Sequence, residues 1–167
     1  MLRNVSLAVA ILLGCAAPAL AQYSAQDSGP DSGEPLTAAI AQRRLENYVQ
    51  TWSTNAGVNP ATVGNYYAPR AIYYGKPMSR AQILADKLRY IAAWPERHYR
   101  IVPGTVSAAC DGDKTLCRVS GIMQWDRRSR SGARSVGSAR LSLTLSRDSG
   151  GKIVRESASL PHYAGGY

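Results

Sequence analysis

The apolar positions divide the chain into a helical first half and a strand-rich second half. Ala38, Ala41, Leu45, Tyr48, Val49 and Trp52 recur at three- and four-residue steps, with Arg43, Arg44 and Glu46 turned to the other side. This spacing predicts an amphipathic helix from Thr37, closed by Asn55-Ala56-Gly57. Pro60 to Tyr67 fits one or two helical turns, because proline is tolerated at a helix start. Ala71-Ile72-Tyr73-Tyr74 reads as a short strand bounded by Gly75 and Pro77. Ser79 followed by Gln82 has capping-box form and opens a second long helix whose buried side is Ile83, Leu84, Leu88 and Ile91. Trp94-Pro95 ends it, since a residue before proline avoids the α region.

Beyond Pro95 the period becomes two. Arg97 to Ala109 alternates as one strand, with a bulge or bend expected at Pro103-Gly104. Cys117, Val119, Gly121, Met123 and Trp125 alternate with Arg118, Ser120, Ile122, Gln124 and Asp126, and Leu141, Leu143 and Leu145 alternate with Arg140, Ser142, Thr144 and Ser146. A last strand runs from about Lys152 to Leu160, after the Asp148-Ser149-Gly150-Gly151 turn. Helix, short helix, strand, helix and then hairpin-linked strands make an α+β fold, with helices on one side of an antiparallel sheet.

The N-terminus reads as an export signal over residues 1–21. Arg3 gives the positive end, Val5 to Leu13 the apolar run, and Ala19-Leu20-Ala21 the small-x-small cleavage pattern. The run is shorter than the about 20 residues a membrane-spanning helix needs. Leu12-Leu13-Gly14-Cys15 offers a rival site at which Cys15 would be lipidated, so two readings stand: a periplasmic or secreted protein, or a lipoprotein. Residues 22–36, rich in Ser, Gly, Pro and Asp, read as a flexible leader. One domain is expected over 37–161, followed by a tail at 162–167.

In an oxidising compartment, Cys110 and Cys117 are expected to pair across a hairpin turn, Asp111-Gly112-Asp113-Lys114. A metal site is the sharper alternative, but zinc wants four ligands and only His98 and His162 could join, at unsuitable spacing. No metal and no cofactor is expected. There is no Gly-rich phosphate loop and no Gly-x-Ser-x-Gly elbow.

Composition adds two facts. The 167 residues carry a formal net charge of +9, and Phe is absent while Tyr occurs ten times. Most of the charge sits between Arg118 and Arg140, where six arginines face only Asp126. Arg127, Arg128, Arg130 and Arg134 occupy a polar hairpin there and form a candidate anion-binding patch, because guanidinium binds phosphate and carboxylate in bidentate fashion. Its partner would be an anionic envelope component or an acidic protein; nucleic acid is not expected beyond an export signal. The same arginines also suit a solvated hairpin tip.

The element order, together with Tyr73-Tyr74-Gly75-Lys76, Ser79-Arg80, Asp86-Lys87, Trp94-Pro95, Arg97 with Tyr99, and the Cys110/Cys117 pair, resembles the nuclear-transport-factor-2-like superfamily, SnoaL-like polyketide cyclases included. The resemblance covers roughly residues 37–160. It implies a cone-shaped half-barrel, in which a curved antiparallel sheet wraps the long N-terminal helix and leaves a pocket at the wide end. It also implies binding of a small molecule, or its isomerisation, dehydration or cyclisation, and dimers formed through the sheet.

Enzymes of that superfamily use pocket carboxylates for acid–base work, and few acids here lie on ordered elements. Glu156, within a late strand, is the first candidate, with cross-strand pairing to Arg140 or Arg155 as the alternative. His98 is the second, with a surface histidine as the alternative. Tyr73, Tyr99, Trp125 and Arg140 are expected to line the pocket, although a chain without Phe must also fill its core with Tyr and Trp. The resulting expectation is an exported, non-catalytic binding or accessory protein of the envelope. The alternatives are a small lyase or isomerase using Glu156 or His98 as proton shuttle, and an interaction module built on the 127–134 hairpin.

Overall fold

The computed structural model describes residues 35–160. The export signal, Cys15, most of the leader, and the tail with His162 lie outside the described residues. Three helices and seven strands follow one another as α1 (Ala38–Thr51), α2 (Pro60–Tyr66), β1 (Tyr67–Tyr73), β2 (Lys76–Ser79), α3 (Arg80–Ala93), β3 (Glu96–Ile101), β4 (Ser107–Cys110), β5 (Leu116–Arg128), β6 (Arg134–Ser146) and β7 (Lys152–Ser159).

Each helix begins where the sequence supplies a cap. Thr37 Oγ1 accepts from the Ile40 amide, and Asn59 Oδ1 accepts from the Thr62 amide with Pro60 next to it. At α3 the capping box is complete: Gln82 N–H donates to Ser79 Oγ, and Ser79 N–H donates to Gln82 Oε1. Leu36, assigned to the leader in the sequence reading, is only 3 % exposed and packs into the core, so the ordered body starts before Thr37.

The strands form one curved, unclosed sheet in the order β2-β1-β7-β6-β5-β3, with β4 also paired to β5. The expectation of a purely antiparallel sheet is corrected at one place. β1 runs parallel to β7, so the sheet is mixed. β2 is a further strand that the sequence did not signal; it pairs with β1 through a two-residue turn. Tyr74 and Gly75 fill that turn, both at positive φ, the pattern of a type I′ hairpin. The single strand expected over 97–109 is two strands, separated around Gly104, which has φ +76°. β3 pairs with the second half of β5 and β4 with its first half.

Inward-facing Val119, Leu141, Leu143, Leu145 and Ile153 of the sheet meet Ala41, Leu45 and Val49 of α1, all nearly inaccessible. Gly121 is where the helix comes closest: a Cβ there would lie 3.2 Å from Leu45 Cδ2. Cys110 and Cys117 face each other across β4 and β5, with Sγ atoms at disulfide distance.

A β-bulge sets the face of the most consequential residue. Leu143 pairs with Glu156 and Leu145 with Ile153, so one extra residue of β7 is accommodated near Val154. Strict alternation from the buried Ile153 would turn residue 155 inward. The bulge shifts the phase, leaving Arg155 exposed and Glu156 buried.

Candidate functional site

Between α1, α3 and the inner face of the sheet lies a cavity of about 350 Å³. Glu156, 2 % exposed, is one of its lining residues. The Tyr48 hydroxyl donates to Glu156 Oε2 at 2.7 Å, and the Tyr67 hydroxyl donates to the same oxygen. The two hydroxyl oxygens are themselves 2.7 Å apart. Tyr48 comes from α1, Tyr67 from the start of β1 and Glu156 from β7, so three separate elements build the cluster.

Lys87 of α3 completes it. Its Nζ donates to the Tyr48 hydroxyl at 3.0 Å and lies 4.1 Å from the Trp52 ring centroid, with the rings of Tyr48, Tyr73 and Tyr67 at 5.2, 5.5 and 5.7 Å. An ammonium among aromatic faces gains quadrupole attraction but loses water. Burial lowers the Lys87 pKa from its ordinary value, while the nearby Glu156 and Asp86 carboxylates pull it back up. No direct Lys87–Glu156 ion pair forms, because the Tyr48 hydroxyl stands between them.

Burial pushes the Tyr48 and Tyr67 phenols well above their ordinary range, and the Glu156 charge adds to the shift. Both are neutral donors at any physiological pH. Tyr73 and Tyr74 move the same way, first by burial and then through Glu156. Tyr74 sits at the mouth with about half its surface in solvent (49 %), and its ring meets Tyr73 edge-on at 4.6 Å. Its backbone N–H donates to the Glu156 carbonyl, tying the β1–β2 turn to the bulged strand.

Of the residues expected in the pocket, Tyr73, Tyr99 and Trp125 lie in the lining. Arg140 does not. It is exposed on the outer face, because its neighbours Ala139 and Leu141 take the inward positions of β6. His98 is corrected for the same reason. It is exposed between the inward Arg97 and Tyr99 and reaches no cavity. The hairpin arginines also separate. Arg127 points inward and lines the cavity, and Arg134 makes a bidentate pair with Asp126 at 2.9 and 2.6 Å. Arg128 and Arg130 remain exposed.

Sequence reasoning passed over three contributors. Lys87 stood out in the sequence only beside Asp86, and Asp86 pairs with Arg89 at 2.9 Å. Tyr48 and Tyr67 were grouped with the core aromatics. The available signal was a lysine on the helical face that Ile83, Leu84 and Ile91 mark as inward. Arg97 is a further contributor, a buried cation 2 % exposed. It donates to the carbonyls of Trp52 and Thr54 and to Asn55 Oδ1, fastening the α1–α2 connection onto β3.

A sheet that curves over one long helix and opens into a lined cavity recurs in solved structures of other proteins. The chain has the nuclear-transport-factor-2-like fold. A superfamily protein of that name from Salmonella enterica superposes with a TM-score of 0.62 at 14 % identity, over 77 % of this chain and 96 % of its own. A candidate scytalone dehydratase from Novosphingobium aromaticivorans gives 0.59 at 9 % identity, over 72 % and 81 %. A candidate calcium/calmodulin-dependent protein kinase II association domain from Xanthomonas campestris gives 0.57 at 17 %, over 74 % and 89 %. No protein-family profile and no curated protein matches the sequence.

Proposed function

We propose that this protein takes a small organic molecule into the aromatic cavity and moves a proton on it, as a lyase or isomerase does. The observation that carries this reading is the line Lys87 Nζ, Tyr48 hydroxyl, Glu156 carboxylate within the cavity wall. A concerted shift of two hydrogens along it converts ammonium and carboxylate into amine and carboxylic acid. Lys87 gives a proton to the Tyr48 oxygen as that hydroxyl gives its own to Glu156, and no proton is gained or lost. A substrate can therefore surrender a proton to one end and receive one at the other, which isomerisation and dehydration both require. Burial of Lys87 narrows the gap between the two states, and the neutral phenol of Tyr73, in the cavity lining, is a donor for oxygen on the substrate. One structural neighbour is a candidate scytalone dehydratase, so lyase chemistry has been ascribed to this architecture.

The non-catalytic binding reading draws on a different observation. Glu156 Oε2 is already occupied by two phenols, as in a structural buried carboxylate. With the export signal expected at residues 1–21, the envelope or the cell exterior is the proposed setting for either activity. Deuterium incorporation next to the carbonyl of small cyclic ketones and β-hydroxy ketones, followed by NMR in heavy water, tests the choice. Wild-type protein is expected to accelerate exchange, and Glu156→Gln and Lys87→Met each to lose about 100-fold or more of it. Binding of these probes by the wild type without any accelerated exchange selects the binding reading.

A further inference from the structure

Arg127 differs from every other arginine of its hairpin. Alternation along β5 turns it inward beside Trp125, and its guanidinium carbon lies 4.5 Å from the Trp94 ring centroid, 5.4 Å from Tyr90 and 5.5 Å from Trp125. Nη1 donates to the Tyr90 hydroxyl. Among the described residues it forms no ion pair: the pairs present are Arg89–Asp86, Arg134–Asp126 and Arg147–Asp148. Its Nε is buried and has no hydrogen-bond partner, and Trp52 Nε1 is in the same position. Both side chains line the cavity.

Buried donors are ordinarily satisfied, most strictly when they belong to a charged group. The carboxylates of the lining cannot serve here, because Asp86 is held by Arg89 and Glu156 by Tyr48 and Tyr67. The lining thus holds three cationic side chains, Lys87, Arg97 and Arg127, against two acids, with Arg97 spent on backbone carbonyls. A guanidinium stacked on rings is fixed in plane, and a free Nε edge is the geometry that accepts a carboxylate oxygen.

We propose that Arg127 is the anion-reading group of the cavity and that the ligand is a small organic carboxylate, its carboxylate on Arg127 and its ring or chain among Trp125, Tyr90 and Tyr99. This rests on the cavity being a small-molecule site and adds the class of molecule. The anchor is distinct from the Lys87–Tyr48–Glu156 line, so binding selectivity is separable from proton transfer.

The test compares 4-hydroxyphenylacetate with its neutral amide by saturation-transfer NMR and isothermal titration, on wild type, Arg127→Gln, Arg127→Lys and Arg128→Gln. The wild type is expected to bind the carboxylate about 10-fold or more tightly than the amide, as a charge-assisted bidentate contact gives. Arg127→Gln is expected to erase that preference, Arg127→Lys to keep part of it, and Arg128→Gln, exposed on the outer face, to keep all of it. Equal binding of both probes by the wild type overturns the role of Arg127 and leaves the cavity reading standing. A preference that survives Arg127→Gln overturns it as well. Binding of neither probe by the wild type overturns both readings together. If Arg127→Gln does not fold, the wild-type comparison and Arg127→Lys decide the matter.

Discussion

Removing one oxygen atom, by Tyr48→Phe, tests the architecture of the site most directly. The Tyr48 hydroxyl accepts from Lys87 at 3.0 Å, donates to Glu156 at 2.7 Å and touches the Tyr67 hydroxyl at 2.7 Å. Phenylalanine keeps the ring and its edge-on packing against Trp52 and Tyr66, so no cavity opens. What is lost is two bonds to ionised groups, which leaves the ammonium and the carboxylate each short of a partner. At about 1.5–3 kcal/mol for each bond to a charged group, with part recovered by relaxation, the variant should lose about 3 kcal/mol. Urea unfolding at neutral pH measures this as a lower midpoint at unchanged slope. The decisive measurement is the double-mutant cycle with Lys87→Met. If the hydroxyl bridges Lys87 and Glu156, Tyr48→Phe costs about 1–2 kcal/mol less once Lys87 is gone. Additivity of the two changes within about 0.5 kcal/mol would falsify the bridge and, with it, the proton line.

Two further outcomes follow from the same burial. The Lys87 pKa is lowered on folding, so below the usual 10.5 the unfolded chain binds more protons, and stability rises with pH through the alkaline window approaching that value. Tyr48, Tyr67 and Tyr73 are shifted upward, so from about pH 10 the unfolded chain releases phenolic protons that the folded protein keeps, and stability falls. A urea-midpoint titration should therefore rise and then fall steeply near pH 10, with the rise absent in Lys87→Met and the fall shallower in Tyr67→Phe; a flat profile contradicts the burial of these groups. Arg97→Met, which strands the Trp52 and Thr54 carbonyls and Asn55 Oδ1, should cost about 2–4 kcal/mol in the same assay, and a loss under about 0.5 kcal/mol would show that the α1–α2 connection is held otherwise.

Local chemistry was legible from the chain alone. Helix starts follow from side chains within three residues of the cap, so Thr37, Pro60, and Ser79 with Gln82 placed α1, α2 and α3 correctly. Alternating Val119, Leu141, Leu143 and Leu145 marked the inner face of the sheet, because a side chain's face depends only on strand parity while pairing stays regular. The same parity, applied to β6 and to β3, should have placed Arg140 and His98 outside.

Pairing partners and phase shifts needed the tertiary structure. The parallel β1–β7 contact joins residues more than 80 positions apart, and no local pattern encodes it. The bulge near Val154 places Glu156 in the cavity, and a one-residue insertion into a ladder leaves no distinctive composition behind. Lys87, Tyr48, Tyr67 and Glu156 are each unremarkable in sequence, and they become a site only where α1, α3, β1 and β7 converge. The basic hairpin shows the same division. Its charge was countable from composition and strand parity separates Arg127 from Arg128, but only the fold brought Trp94 and Tyr90 onto Arg127. The sequence by itself determined the fold class, the caps and the supply of Tyr, Trp and Arg, since these depend on neighbours along the chain. The tertiary structure decided which of those side chains lost their water together, and that loss gives the cavity its chemistry.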